Sequence, residues 1–140
     1  MVQRLGEVMT PSPRCLDTSD TVADAAQMMR EEDIGDVFVC AEGRLTGIVT
    51  DRDLVVRALA GGTGDPGQVK LGEIASTALT ALAPDDSVED AIAVMRELAI
   101  RRIPVCEDAR PLGVVTIGDL AIERDASSPL ANISAAPANT

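Results

Sequence analysis

The chain has 140 residues, 46% of them hydrophobic but only one aromatic, with a formal net charge of -11 and no histidine. A unit of about 60 residues buries too little surface to be secure alone, so this length suits one compact domain or two small halves sharing a core built from Val, Ile, Leu, Ala and Met. The negative charge and the lack of rings argue against a nucleic-acid partner, and the absence of histidine removes the commonest general base and the commonest metal ligand together.

In chain order, the opening MVQRLGEVMTPSP lacks the apolar run of a signal peptide. A short strand is expected around Arg14 to Asp17. Thr21 is a helix N-cap candidate, with Asp24 three places on to complete a capping box. Val22, Ala25, Ala26 and Met29 then recur at i, i+3, i+4 and i+7, which predicts a helix with one buried stripe, and Arg30 and Glu31 lie off it. Val37 to Cys40 and Leu45 to Thr50 read as neighbouring strands across an AEG turn, and a second helix should start near Asp51. GGTGDPGQ, residues 61–68, has the composition of a linker.

After the linker the same order returns. Sliding the chain by 66 positions aligns Leu5 to Leu54 with Leu71 to Leu120 without a gap, and roughly two in five aligned positions are identical. LGEVMT faces LGEIAS, DTVADAAQMMREEDI faces DSVEDAIAVMRELAI, VFVC faces IPVC and GIVTDRDL faces GVVTIGDL. The second copy therefore predicts a short strand near Thr80 to Ala83 and a helix capped by Ser87 and Asp90 with Val88, Ala91, Ile92 and Met95 buried. Strands at Ile103 to Cys106 and Leu112 to Thr116 follow across EDAR, then a helix from Ile117. The expected organisation is a first domain at 1–60, the linker at 61–68, a second domain at 69–125 and a disordered tail of small and polar residues at 126–140.

Arg30, Glu31, Arg52, Asp53, Arg96 and Glu97 break every apolar stretch before the roughly 20 residues a bilayer span needs. Cys15, Cys40 and Cys106 are an odd count without C-x-x-C spacing, so neither a disulfide scaffold nor a zinc site is indicated and the cytoplasm is the default location. Cys40 and Cys106 occupy equivalent places and read either as core residues or as a redox pair. No carboxylate is set against a nucleophile or a metal ligand, so no catalytic constellation is present.

The most specific local feature is T-x-x-D, Thr50 with Asp53 and Thr116 with Asp119, at each strand-to-helix junction. Such a junction aims amide N–H groups and the positive end of a helix dipole outward, which suits a phosphate. An Asp there can accept both hydroxyls of a ribose. The same four residues also form a capping box whatever the ligand, and the two roles are compatible. Arg52 lies inside the first T-x-x-D, where the second has Ile117 and Gly118, and it reads either as a site cation or as a solvated surface residue.

The duplicated S/T-V-x-[DE]-A-x-x-x-M, I-P-V and G-[IV]-V-T-x-x-D-L pattern over residues 5 to 124 resembles the CBS domain. It is most similar to the small stand-alone CBS pairs of bacteria, some associated with stress or dormancy. The resemblance implies an α+β fold of two pseudo-twofold-related units, each a small three-stranded sheet with two flanking helices, and two clefts that in many members hold AMP, ATP or S-adenosylmethionine. It further implies a non-catalytic regulatory role, a homodimer with a helical subunit contact, no required cofactor, and a possible regulated protein partner. By the same resemblance Asp36, Val37 and Phe38 edge the first cleft and Arg102, Ile103 and Pro104 the second. The segment before strand one maps to Cys15 and Leu16, and to Thr80, Ala81 and Leu82. Phe38 departs from the family's usual proline, kept as Pro104, and a ring there could fill the first cleft, which leaves open a ligand-free, stress-associated interaction protein.

Overall fold

The structure, a computed structural model, describes residues 3–62 and 64–124 together with Ile133 and Ala136. Apart from those last two residues, the tail expected at 126–140 lies outside the described residues. The fold is mixed α+β with two three-stranded sheets. Its elements are α1 (Leu5–Val8), β1 (Thr10–Pro11), β2 (Cys15–Asp17), α2 (Val22–Glu32), β3 (Asp36–Ala41), β4 (Arg44–Thr50), α3 (Asp51–Asp53) running directly into a π-helical segment (Leu54–Leu59), α4 (Leu71–Ile74), α5 (Val88–Leu98), β5 (Arg102–Glu107), β6 (Arg110–Thr116) and α6 (Ile117–Arg124).

The chain packs into two compact units, Pro13–Leu79 and Met1–Ser12 together with Thr80–Thr140. In the first, β2 lies parallel to β3, and β3 antiparallel to β4. In the second, the order is β1-β6-β5 with antiparallel pairing throughout. The strand expected near Thr80 to Ala83 is reduced to one bridge between Leu82 and Val105, held by Leu82 N–H to Pro104 O at 3.0 Å and Cys106 N–H to Leu82 O at 2.8 Å. Alanines on either side of Leu82 and Pro84 just beyond it favour strand pairing poorly.

The leading segments are exchanged reciprocally between the copies. Thr10 pairs with Val114 on β6, and its repeat equivalent Ser76 pairs with Ile48 on β4. Arg4 bridges Ser87 and its equivalent Lys70 bridges Thr21. Leu5, fully buried, belongs to the core with Val88, Ala91, Met95, Ile103, Val105, Val115 and Leu120, whereas Leu71 belongs to that with Val22, Ala25, Met29, Val37, Val39, Val49 and Ala58. Glycine makes the approach possible. A Cβ on Gly47 would lie 2.9 Å from Ser76 O, and one on Gly113 would lie 2.7 Å from Thr10 O and 2.6 Å from Met9 Sδ, all closer than a real Cβ tolerates.

Both long helices start where the capping boxes place them. Asp24 N–H donates to Thr21 Oγ1 at 3.2 Å while Thr21 N–H donates to Asp24 Oδ2 at 2.9 Å, and Ser87 with Asp90 repeats the exchange at 3.0 and 3.2 Å. The buried stripe is narrower than the sequence suggests. Val22, Ala25, Met29 and Val88, Ala91, Met95 are buried, but Ala26 is exposed and Ile92 only half-buried. The i, i+3, i+7 line faces the sheet, and the i+4 position turns toward its margin.

Candidate functional site

The two T-x-x-D turns are built alike. Thr50, last residue of β4, caps α3: Asp53 N–H donates to Thr50 Oγ1 at 3.1 Å, and Thr50 N–H to Asp53 Oδ2 at 2.9 Å. Thr116 and Asp119 repeat this at 3.1 and 3.0 Å at the end of β6. A main-chain bond fastens each helix start to the residue just before the neighbouring strand, Asp51 N–H to Gly35 O at 3.0 Å and Ile117 N–H to Arg101 O at 2.9 Å. All four side chains are half-buried, so each carboxylate is fixed by the backbone while still accessible. Such a carboxylate has lone pairs to spare after accepting one N–H and can take hydroxyl donors.

Register brings Asp36 directly opposite Thr50, and Arg102 directly opposite Thr116. The two turns therefore carry opposite charges at equivalent neighbours. Val37 and Ile103 are fully buried and their side chains belong to the apolar cores, so only their main chain is left for a ligand. Pro104 is buried on β5. Leu82, half-buried like Thr80 just before it, pairs along the edge of β5 away from β6, so β5 stands between it and the Thr116 turn. Arg52 is exposed, and its N–H donates to Asp51 Oδ1 at 2.8 Å. Phe38 is 2% exposed; alternation along β3 sends it to the face opposite Val37 and Val39. Cys40 is buried, Cys106 half-buried and Cys15 exposed.

Sequence reasoning passed over Arg57. Its Nε lies 3.6 Å from Asp53 Oδ1, and its Nη1 donates to Ile74 O at 3.1 Å. The signal was present as an Asp and an Arg four residues apart in a helical stretch. No helix among the described residues is long and apolar enough to cross a membrane.

Comparison with known proteins agrees with this architecture. The CBS domain pattern matches residues 5–59 and again 71–124. The chain is 35% identical over 132 residues to the CBS domain-containing protein YhcV of Bacillus subtilis, covering 91% of this chain and 93% of that protein. The crystal structure of Hypoxic Response Protein I with two coordinated zinc ions superposes with a TM-score of 0.78 at 35% identity, over 86% of this chain and 98% of that one. The CBS domain pair of protein MJ0100, in complex with 5′-methylthioadenosine and S-adenosyl-L-methionine, shares the fold at a TM-score of 0.78 and 22% identity, over 91% and 100% of the two chains. The zinc of the second of these does not fit the donors present here. This chain has no histidine, and no group of three or more Cys, Asp or Glu side chains able to hold a metal occurs among the described residues.

Proposed function

Because the chain belongs to the CBS-domain family, we propose that it is a non-catalytic, cytoplasmic regulatory module that binds an adenosyl nucleotide of the AMP, ATP or S-adenosylmethionine type. The observation that carries this reading is the duplicated turn, a half-buried Asp carboxylate fixed by a Thr N–H at 2.9 Å in one unit and 3.0 Å in the other, at a strand-to-helix junction. The carboxylates of Asp53 and Asp119 would accept the ribose hydroxyls, with Thr50 and Thr116 adding contacts to sugar or phosphate. Arg52 in the first unit and Arg102 in the second supply cations for phosphate, Asp36 edges the first site, and main-chain groups near Val37, Thr80, Leu82, Ile103 and Pro104 would face the base. The fold itself accommodates adenosyl ligands in MJ0100. Ligand would act by favouring one arrangement of the protein through differential affinity, and a partner protein would read that arrangement.

The helices offer the surface for self-association. Val55, Val56 and Leu59 are exposed in one unit. In the other, Ile92, Met95, Ile100, Ile117 and Leu120 line a groove of about 340 Å³. A homodimer with helical contacts would cover such surface. A thermal-shift panel of AMP, ADP, ATP, NAD and S-adenosylmethionine tests the ligand reading. The expected result is stabilisation by at least one compound, lost in the double variant Asp53→Asn, Asp119→Asn; a flat response to the whole panel would overturn it.

One observation favours a second reading, a ligand-free interaction protein associated with stress. Phe38, bulkier than its equivalent Pro104, is almost fully buried, as a ring closing the first site would be. A relative 37% identical over 116 residues is named for the hypoxic response in Mycobacterium tuberculosis. Phe38→Ala distinguishes the two, since a gain of nucleotide binding in the variant supports the closed site.

A further inference from the structure

Arg57 distinguishes the two turns. It leaves the π-helical segment four residues after Asp53 and touches that carboxylate on the oxygen that the capping box does not use. Oδ2 accepts Thr50 N–H at 2.9 Å, and Oδ1 faces Arg57 Nε at 3.6 Å. The guanidinium is anchored from behind, because Nη1 donates to Ile74 O at 3.1 Å at the end of α4. Asp53 is thus held at both oxygens, once by its own turn and once by a cation braced on a neighbouring helix. The position 66 residues on from Arg57 is Glu123, an acid where the first copy has a base.

A carboxylate that is to receive two vicinal hydroxyls has to present a fixed plane, and side-chain freedom lost before binding is not lost again on binding. The Asp53 side chain is 16% exposed and that of Arg57 50% exposed, so the pair is reachable by a ligand and Arg57 keeps donors for a sugar or phosphate oxygen. We propose that Arg57 is a positioning residue for the first site. It sets the Asp53 carboxylate for a ribose and makes the first turn the tighter of the two, although Pro104 gives the second copy the more usual family sequence. This rests on the nucleotide reading above and adds to it which turn binds better, and why.

The test is calorimetric titration of the full chain with AMP, ATP and S-adenosylmethionine in an Asp119→Asn background, so that the first turn alone reports. Arg57→Ala and Arg57→Gln are expected to weaken binding by about two- to fivefold, the range an exposed ion pair supports, whereas Arg57→Lys recovers most of the loss. In an Asp53→Asn background Arg57→Ala should change nothing further, a non-additivity that a purely structural role would not produce. Asp119→Asn alone should cost less affinity than Asp53→Asn alone. If Asp53→Asn abolishes binding while the Arg57 variants bind as well as or better than their parent, this inference is overturned and the nucleotide reading stands. If no probe binds, or binding ignores both Asp53 and Asp119, the nucleotide reading fails and takes the inference with it.

Discussion

Ala109 sits at φ 65° in the second hairpin, after Asp108 at φ 51°, while its repeat equivalent Gly43 sits at φ 77° after Glu42 at φ 54°. Two-residue loops with both central residues left-handed match the twist of the strands they join, and the second of those positions favours glycine. Ala109→Gly is therefore expected to stabilise the protein by about 0.5–1 kcal/mol, the relief of a left-handed Cβ less the added freedom of the unfolded chain; urea denaturation measures it. Two acids near the start of α2 respond to pH. Asp24 is held below the ordinary carboxylate value of 3.8 by the Thr21 backbone N–H and then by the Thr21 hydroxyl, and Asp17 by hydrogen bonds from the side chain and backbone of Ser19. A lowered folded-state pKa means the unfolded chain takes up the proton first. The stability these groups contribute is complete above about pH 4–5 and is lost as pH falls through their lowered values. Denaturation midpoints followed from about pH 5 to about pH 2 should fall less steeply in Asp24→Asn than in the parent. The caps and the T-x-x-D turns were legible in the sequence because a capping box closes within four residues and needs nothing from elsewhere in the chain. Arg57 was harder to read, since its second partner, Ile74 O, lies 17 residues away.

At the scale of elements the exchange of α1 and α4 makes the strongest demand. Leu5→Ala removes a fully buried side chain from the core around α5 and β5, and an expected loss of about 2–5 kcal/mol follows from the cavity and the lost transfer energy. Hydrogen exchange should show the change first in residues 88–124 and later in residues 22–50, and Leu71→Ala should show the reverse order. Gly113→Ala should also destabilise, by about 1–3 kcal/mol, because a new Cβ would lie 2.7 Å from Thr10 O and force β1 off its pairing with β6. The helices and hairpins of each copy were readable from periodicity and turn residues, yet the exchange was not. LGEVMT and LGEIAS carry the same pattern, so either would suit either core, and only the route of the chain through Ser12 and Leu79 assigns them. The π-helical turn was hidden for a similar reason, as LVVRAL has an ordinary helical composition. What closes it is the Ala60 N–H bond to Val55 O at 2.8 Å, five residues back.

For the molecule as a whole, the apolar side chains left outside are concentrated on helices. Leu59 is 72% exposed and Ile117 44%. Light scattering is expected to report a dimer for the parent chain and a monomer for the double variant Leu59→Asp, Ile117→Asp, whose circular dichroism should be unchanged. The route of the chain also sets an order of assembly. The unit Pro13–Leu79 is continuous and has all its parts as soon as Leu79 has left the ribosome. Residues 3–12, made earlier, must wait for β6 before β1 has an edge to join, with Leu5 exposed in the meantime. A segment translated ahead of the continuous unit is thus among the last to find its place, and synthesis paused at residues 64–68, before α4, would leave both α1 and the first core incomplete.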